Sequence, residues 1–340
     1  MQAETLFDWS VRRGVVYPDF VATGPRVFRT RWPNAFAAMA SATPPAAKVA
    51  TIGLLQYAPQ LRDSVRDNIA DIIAGLVAVR DAIIVLPEFF LGSYPDFARH
   101  ASGAGASDAS ESPDVPDVPD ATHAPEVPDA LDEAELAAVL EPLRDVSMRQ
   151  GLSLVGSLPI RAGRTTVNGV VVIDRGVMSF SAHTKQRLFA GESERLAPGS
   201  RADHLWIGGA RCSVQVCMDI VDPLPVRQAV RAGARLVLGP ATVSVDYLRT
   251  IHKARALENQ VVSVFCNRPG KAADGTEYMG RSAIFLPDGS ELAAPRDEEQ
   301  VLLVDVDMDH VIGYEARFGP MSSPANDDGA AEGHDVEPTP

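Results

Sequence analysis

Apolar positions along the chain fall either into short continuous runs or into segments with an apolar residue every three or four positions. The first pattern indicates buried strands and the second indicates amphipathic helices. Helices are predicted over residues 61–79, 131–150, 223–232 and 246–259. Strands are predicted over 49–55, 82–86, 153–160, 166–174, 177–185, 211–217, 236–238 and 261–267, and a last hairpin from 281–286 and 301–304. This succession predicts a layered α/β domain.

Three regions stand outside this alternation. Residues 1–47 lack clear periodicity, and we predict an N-terminal extension to which no function is assigned. Residues 101–130 are of low complexity, with a repeated Pro-Asp-Val unit, and bury too little apolar surface to offset the cost of ordering. We therefore predict a disordered, solvated acidic insert there, with a lid or partner tether as the alternative. Residues 320–340 are predicted to be a disordered acidic tail, which leaves 48–319 as the folded domain.

Charge and composition exclude several classes of function. The net charge of −14 arises from ten acidic residues between Ala101 and Glu135 and five after Met321, where neither stretch contains Lys or Arg. The remaining body is nearly neutral and has no basic stripe with interleaved aromatics, so we expect no nucleic-acid partner. No apolar run has the ~20 residues that span a bilayer, so no membrane partner is expected. An apolar segment at 35–42 faintly resembles a signal peptide, but we interpret it as a linker.

Cysteine usage indicates a reducing compartment. The three cysteines include no Cys-x-x-Cys pair, which argues against a disulfide framework or a structural zinc site and fits the cytoplasm. Cys212 and Cys266 are interpreted as small buried residues of strands. His183 and His252 have no companions at metal-ligand spacing, so neither a metal nor a cofactor is predicted.

Three chemically active side chains stand at the ends of predicted strands. Glu88 ends the run Ile83 to Leu86-Pro87, Lys185 follows another extended run, and Cys217 ends a third. Strand ends hold side chains rigidly at the rim of a sheet, where α/β enzymes place catalytic groups. A carboxylate, an ammonium and a thiol therefore form a candidate catalytic set.

These three segments resemble the Glu-Lys-Cys signature of the nitrilase superfamily, the carbon-nitrogen hydrolases. Further matching segments follow in order, spanning the chain from Lys48 to Gly313: 194–199, 232–241, 254–260 with 266–268, and 280–284 with 287–289. The resemblance implies a four-layer α-β-β-α sandwich, and a homodimer or higher homo-oligomer. It also implies that Cys217 is the nucleophile, that Glu88 is the general base, and that Lys185 opposes the oxyanion together with the backbone N–H of Met218.

The second glutamate of the family has two candidates here. Glu192 and Glu194 both lie in a short acidic loop, and either could reach the site. Glu194 is preferred because Pro198-Gly199 follows it at the spacing of related amidases, and its role would be to hold Lys185 and the substrate in line. Tyr94, in the loop after Glu88, is a further candidate for substrate contact.

Asp246, which follows the strand end at Pro240-Ala241, is a second candidate for substrate contact. It could pair with a cationic substrate, whereas the alternative role is to cap the following helix. Asp219 and Asp222 are expected to bond backbone amides in the loop after the nucleophile.

The predicted reaction is hydrolysis of a small amide or N-carbamoyl compound through a thioester. Nitrilases of the family usually carry Trp-Glu after the cysteine, whereas this chain has Met218-Asp219 and keeps only the aspartate of the amidase pattern. That difference favours an amidase over a nitrilase. An acyltransferase using the same acyl-enzyme and a catalytically silent scaffold remain alternatives, and the retained trio argues against the scaffold.

Overall fold

The computed structural model describes residues 17–19, 26–32, 49–59, 65–92, 130–189, 191–199, 204–271 and 275–319. The predicted insert, except Ala130, and the predicted tail lie outside these residues. The described chain contains six α-helices: α1 (Val65–Leu76), α2 (Glu133–Val139), α3 (Glu141–Gln150), α4 (Pro223–Arg231), α5 (Tyr247–Asn259) and α6 (Tyr314–Phe318). Among these helices none is long and apolar enough to cross a membrane.

The strands form two large sheets and one small ribbon. The first sheet contains β1 (Tyr17–Asp19), β2 (Arg26–Trp32), β3 (Val49–Gln56), β4 (Ala82–Glu88), β5 (Ser153–Ala162), β6 (Thr165–Asp174), β7 (Val177–Thr184) and β16 (Gln300–Asp307). The second contains β8 (Leu205–Ile207), β9 (Ala210–Val214), β10 (Leu236–Pro240), β11 (Val262–Cys266), β14 (Ala283–Phe285) and β15 (Glu291–Ala293). The ribbon pairs β12 (Pro269–Lys271) with β13 (Glu277–Met279).

Strand direction brings several carboxyl ends to one edge of the molecule. In the first sheet, ordered β1-β2-β16-β3-β4-β5-β6-β7, strand β4 is parallel to both β3 and β5. Strand β7 runs in the same direction, because β6 is antiparallel to both β5 and β7. In the second sheet, ordered β15-β14-β11-β10-β9-β8, strands β9, β10 and β11 are parallel.

Alternating residues of the central strands supply two apolar cores. Ile52 and Leu54 on β3 belong to the cluster that also holds Leu238 of β10 and Val264 of β11, so this core lies between the two sheets. Leu55, on the opposite face of β3, belongs to a second cluster. That cluster joins the first sheet to helices α1 and α3 through residues such as Ile72, Leu76 and Leu143. Helices α4 and α5 contact the second sheet.

The predicted last hairpin is wrong. Strand β14 pairs with β15 across the turn at 286–290, within the second sheet. Strand β16, which contains the run 301–304, crosses to the first sheet and lies between β2 and β3. The Pro287-Asp288-Gly289 turn favours the short local pairing, in which Gly289 adopts a positive φ of 83°.

Two element boundaries also differ from prediction. The helix predicted over 131–150 is divided at Leu140 into α2 and α3, and Asp132 caps α2 through a capping box with Glu135. Strand β2 lies within residues 1–47, where no strand was predicted, and pairs in parallel with β16 over seven residues. Its sequence mixes arginines with apolar residues, so alternation alone gives a weak signal.

Candidate active site

Glu88 is the last residue of β4 and is completely buried. Its backbone is held from the neighbouring sheet: the N–H donates to the carbonyl of Ala241 over 3.3 Å, and the hydroxyl of Thr242 donates to the Glu88 carbonyl over 2.9 Å. Phe89 follows in the left-handed region, with φ at 55°, and turns the chain away from the sheet. These bonds fix the backbone from which the carboxylate extends.

Lys185 follows β7 directly and is also completely buried. Its Nζ lies 2.9 Å from Oε1 of Glu88 and 2.8 Å from Oε1 of Glu192. Its backbone N–H donates to the carbonyl of Asn168 over 2.8 Å. A buried ammonium is costly unless it is paired and hydrogen-bonded, and two carboxylates meet that requirement here.

Cys217 lies three residues beyond the end of β9, at the first residue of a short 3₁₀ helix (Cys217–Val221). The predicted strand therefore ends earlier than residue 217. Cys217 has φ at 48°, a conformation that a non-glycine residue rarely adopts, and only 4% of its surface is exposed. A sharp, strained turn from strand to helix is how other hydrolases present a nucleophile, so the strain here is itself a sign of function.

The structure places Glu192, rather than the preferred Glu194, against Lys185. Glu192 is completely buried, and its Oε2 accepts the backbone N–H of Phe189 over 2.6 Å, whereas Glu194 is exposed. The two residues lie in one 3₁₀ helix (Glu192–Glu194), where three residues make a turn, so side chains two positions apart point in different directions. The geometry therefore favours Glu192 over Glu194 as the partner of Lys185.

The loop beyond this turn packs closely on the lysine strand. The N–H of Gly199 donates to the Lys185 carbonyl over 2.9 Å. A Cβ at residue 199 would lie 1.7 Å from Oγ1 of Thr184, so a side chain there would displace the strand that carries Lys185. Gly199 of the Pro198-Gly199 pair therefore matters for this contact, although the spacing of the pair had favoured Glu194, which does not contact Lys185.

Asn168 completes the polar network and was missed from the sequence. It is buried on β6, and its Nδ2 donates to Oε1 of Glu88 over 2.8 Å. The other carboxylate oxygen, Oε2, is buried and has no hydrogen-bond partner among the described residues. Asn168 interrupts an otherwise apolar strand run, which is the signal that could have identified it, because buried polar side chains require partners.

The pKa values of the trio are interdependent. Burial raises the pKa of Glu88 to about 7, opposed by the charge of Lys185 and assisted by that of Glu192. Burial raises the pKa of the Cys217 thiol well above its usual value, and the charge of Glu88 adds to that rise. For Lys185, burial lowers the pKa, but the surrounding acidic groups outweigh it and leave the pKa raised. At neutral pH the lysine is therefore charged, and Glu88 is poised to titrate.

Asp219 ties the nucleophile turn to the lysine loop. Its Oδ1 accepts the backbone N–H groups of Gln186, over 3.0 Å, and Arg187, over 2.7 Å. Its Oδ2 lies 3.5 Å from Nε2 of the buried His183. Asp219 was expected to bond amides after the nucleophile, but the amides that it binds follow Lys185. Asp222 does bond an amide of its own segment, that of Leu224, where it caps α4.

The remaining candidates have other surroundings. Met218 is half-buried in the nucleophile turn, and Tyr94 lies outside the described residues. Asp246 occupies the N-cap position of α5 without a side-chain capping bond, and its Oδ2 pairs with Arg281 over 2.5 Å. The cation that pairs with Asp246 in this structure is thus one of the chain's own. The described residues contain no group of three or more His, Cys, Asp or Glu side chains that could hold a metal ion.

Comparison with known proteins places this geometry in context. The sequence profile of the carbon-nitrogen hydrolase family matches residues 48–316. An (R)-stereoselective amidase of Pseudomonas sp is 28% identical over 191 residues, which are 52% of this chain and 69% of that protein. A 2-oxoglutaramate amidase of Bacillus subtilis is 27% identical over 172 residues, 49% of this chain and 66% of that protein. The chain thus spans about two thirds of the length of these relatives.

Solved structures share the fold, among them the following two. A cysteine-to-alanine mutant of the Nesterenkonia AN1 amidase, from the nitrilase superfamily, has a TM-score of 0.59 at 22% identity, covering 80% of this chain and 95% of that one. XC1258 from Xanthomonas campestris, a CN-hydrolase superfamily protein, has a TM-score of 0.62 at 22% identity, covering 79% and 95%. The α/β fold predicted from the sequence motifs is confirmed by these matches.

Proposed function

Because the chain belongs to the carbon-nitrogen hydrolase family, we propose that it hydrolyses a non-peptide C–N bond of a small amide or N-carbamoyl compound through a thioester on Cys217. One observation carries this proposal: Glu88, Lys185 and Cys217 come from three different strand ends and meet in a buried cluster. The named amidase activities of the relatives agree with this choice.

In the first step the thiol must lose its proton. The raised pKa of Cys217 means that the resting thiol is protonated, so a base is required. Glu88 has a pKa of about 7 and interacts with the Cys217 thiol, and it takes the proton as sulfur attacks the substrate carbon. The C–N bond then breaks, and the same proton goes to the departing nitrogen. Glu88 next activates a water molecule, which cleaves the thioester and restores the thiol.

Lys185 and the turn at Met218 stabilise the negative charge on the substrate oxygen. Lys185 stays charged because its pKa is raised, so it acts as a fixed cation and not as the base. The first N–H groups of a helix lack partners within that helix, and the 3₁₀ helix at Cys217 offers the N–H of Met218 in this way. Glu192 holds the ammonium in place and keeps its charge balanced.

We also propose the order of layers and the homo-oligomer that the family resemblance implies. The sheets contact each other through β10 with β4 and β11 with β3, while helices contact the outer face of each sheet. This arrangement supports an α-β-β-α order of layers. A homodimer or larger homo-oligomer, and a cytoplasmic location, remain predictions from the sequence.

The test is a hydrolysis panel of small amides, N-carbamoyl amines and nitriles, with release of amine or ammonia and of the acyl product measured separately. The proposal predicts product release from at least one amide or carbamoyl compound, and none with the Cys217→Ala variant. Amide consumption that transfers the acyl group to an added amine, without acid product, would support the acyltransferase instead. Absence of any product across the panel would favour the scaffold.

A further inference from the structure

A cavity of about 630 Å³ opens at the amino-terminal ends of the strands, away from Cys217. Its walls come from the starts of β3, β4 and β5, the turn between β8 and β9, and the chain after β16. Strand β4 runs from Ala82 at this cavity to Glu88 at the catalytic cluster, a length of about 20 Å for its residues. The cavity is therefore separate from the proposed catalytic site.

Three arginines, Arg175, Arg211 and Arg235, line this cavity, which we call the basic groove. None of the three forms an ion pair with a carboxylate within the described part of the chain. Asp81 and Asp309 also line the groove, but neither lies within ion-pair distance of these arginines.

Two of these guanidinium groups are held in place by the backbone. Nη1 of Arg235 donates to the carbonyls of Ala234, over 2.9 Å, and Val230, over 3.3 Å. Nη1 of Arg211 donates to the carbonyl of Ala232. Each keeps further N–H groups for another partner, because a guanidinium has five donors. A group that is already positioned loses little conformational entropy when it binds an anion.

The surroundings of Arg211 favour a flat ligand. Its guanidinium lies over the ring of Trp206, 4.9 Å from the centroid, and Trp206 itself is 60% exposed. Residue 233 must be glycine for this arrangement: its φ is 100°, and a Cβ there would lie 2.9 Å from Nη1 of Arg211. Arg235 is half-buried, and this burial lowers the pKa of its guanidinium. Charge recognition by arginine and stacking on an aromatic ring thus occur side by side.

We propose that the basic groove is a second binding site, for a small ligand that combines an anionic group with a planar ring. Arg175, Arg211 and Arg235 would bind the phosphate or carboxylate, and Trp206 would stack on the ring. The cavity volume lies within the range of about 300–1,000 Å³ typical of small-molecule sites. This inference does not depend on the reaction proposed for Cys217.

Isothermal titration calorimetry on the full chain tests the site with two probes, AMP and benzoate. The two arms distinguish a phosphate from a carboxylate as the anion. At least one probe is expected to bind with a Kd below 1 mM, whereas adenosine and inorganic phosphate, each lacking one half of the recognised chemistry, bind about tenfold more weakly or not at all. Binding should also weaken as salt rises.

Variants assign the binding to the groove. Arg175→Gln and Arg211→Gln are each expected to weaken binding of the probe about tenfold, and Trp206→Ala by a similar factor. Arg161→Gln is the matched control, because Arg161 is an exposed arginine paired with Glu135 outside the groove, and it should leave the Kd unchanged. Arg175 is exposed, so its substitution tests the site even if the Arg211 variant fails to fold.

Three results would overturn the proposal. The first is a Kd above 1 mM for both AMP and benzoate. The second is binding that no groove variant changes, and the third is adenosine binding as tightly as AMP with benzoate silent. The titrations are repeated with Cys217→Ala, which should bind the probe like the unmodified chain. Failure of the groove and failure of the catalytic proposal are thereby separated, since calorimetry requires no turnover.

Discussion

The two ends of the central strands differ in how their charged side chains are paired. At the carboxyl ends, Glu88, Lys185 and Glu192 are fully buried and satisfy one another. At the amino-terminal ends, the arginines of the basic groove are at least partly exposed and have no carboxylate partner among the described residues. In the first arrangement the charged side chains bond one another, which suits chemistry on a neutral amide. The second leaves positive charge for an external anion.

The largest difference is expected when one charge is removed from each end. Lys185→Met leaves two buried carboxylates without their cation, which costs about 3–5 kcal/mol of unfolding free energy, and removes the oxyanion partner, lowering kcat/KM about 10³-fold. Arg175→Met, at the other end, should change the unfolding free energy by no more than about 0.5 kcal/mol. Urea unfolding and amide hydrolysis measure both. Similar losses of unfolding free energy in the two variants would contradict the proposed difference between the two ends of the strands.

The next largest effect concerns the proton carrier. Glu88→Gln keeps the size of the side chain but removes the base, so kcat/KM should fall about 10²–10⁴-fold. Asn168→Ala removes only the amide that bonds Glu88, so kcat/KM should fall by a smaller factor. The acidic limb of the plot of activity against pH should shift. An unchanged rate in Glu88→Gln would assign the base to another group.

The pH dependence of activity and stability also tests the role of Glu88. The proposed role requires Glu88 in its ionised form, and burial raises its pKa to about 7, so kcat/KM should increase with pH and level off above about 7. Stability changes in the opposite direction: the raised pKa favours the folded state below the ordinary value of 4.5, and this contribution is lost as pH rises through about 7. Glu88→Gln should lack this decline in unfolding experiments from pH 4.5 to 8. A flat activity profile from pH 5 to 8 would contradict the assignment.

The smallest predicted effects compare two neighbours in one turn. Glu192→Gln keeps one hydrogen bond to Lys185 but removes a charge, so kcat should fall about 10–100-fold. Glu194→Gln, an exposed change two residues away, should alter neither activity nor, by more than about 0.5 kcal/mol, stability. Steady-state kinetics of the pair decide between the two glutamates. A larger loss in the Glu194 variant would restore the prediction made from the sequence.

The proposed catalytic trio could be recognised as candidates from the sequence because its three residues all lie next to strand ends. Apolar runs mark those strands, and the parallel directions of β4, β7 and β9 bring their ends together. The second glutamate could not be predicted in this way, because Glu192 and Glu194 share one turn and only its orientation separates them. Asn168 was missed because it contributes through burial, which a strand pattern does not reveal for a single polar residue.

Long-range pairing was the least predictable part of the fold. Local turn chemistry at 287–289 correctly marks a reversal of the chain, but it does not reveal which strand pairs with β14. Strand β16 leaves its neighbour in sequence to pair with β3, almost 250 residues away by sequence number. The contact of Asp219 with the lysine loop is hidden for the same reason, since it joins two segments that the sequence separates.

Intact-protein mass spectrometry during turnover can show whether Cys217 carries the acyl group. Samples of the chain with a turned-over amide are quenched in acid, and fragment masses locate any added acyl group. We expect an acyl adduct on Cys217, absent from Cys212 and Cys266, and neither adduct nor product in Cys217→Ala. Product release that continues in Cys217→Ala would rule out Cys217 as the nucleophile, whatever adducts the unmodified chain carries.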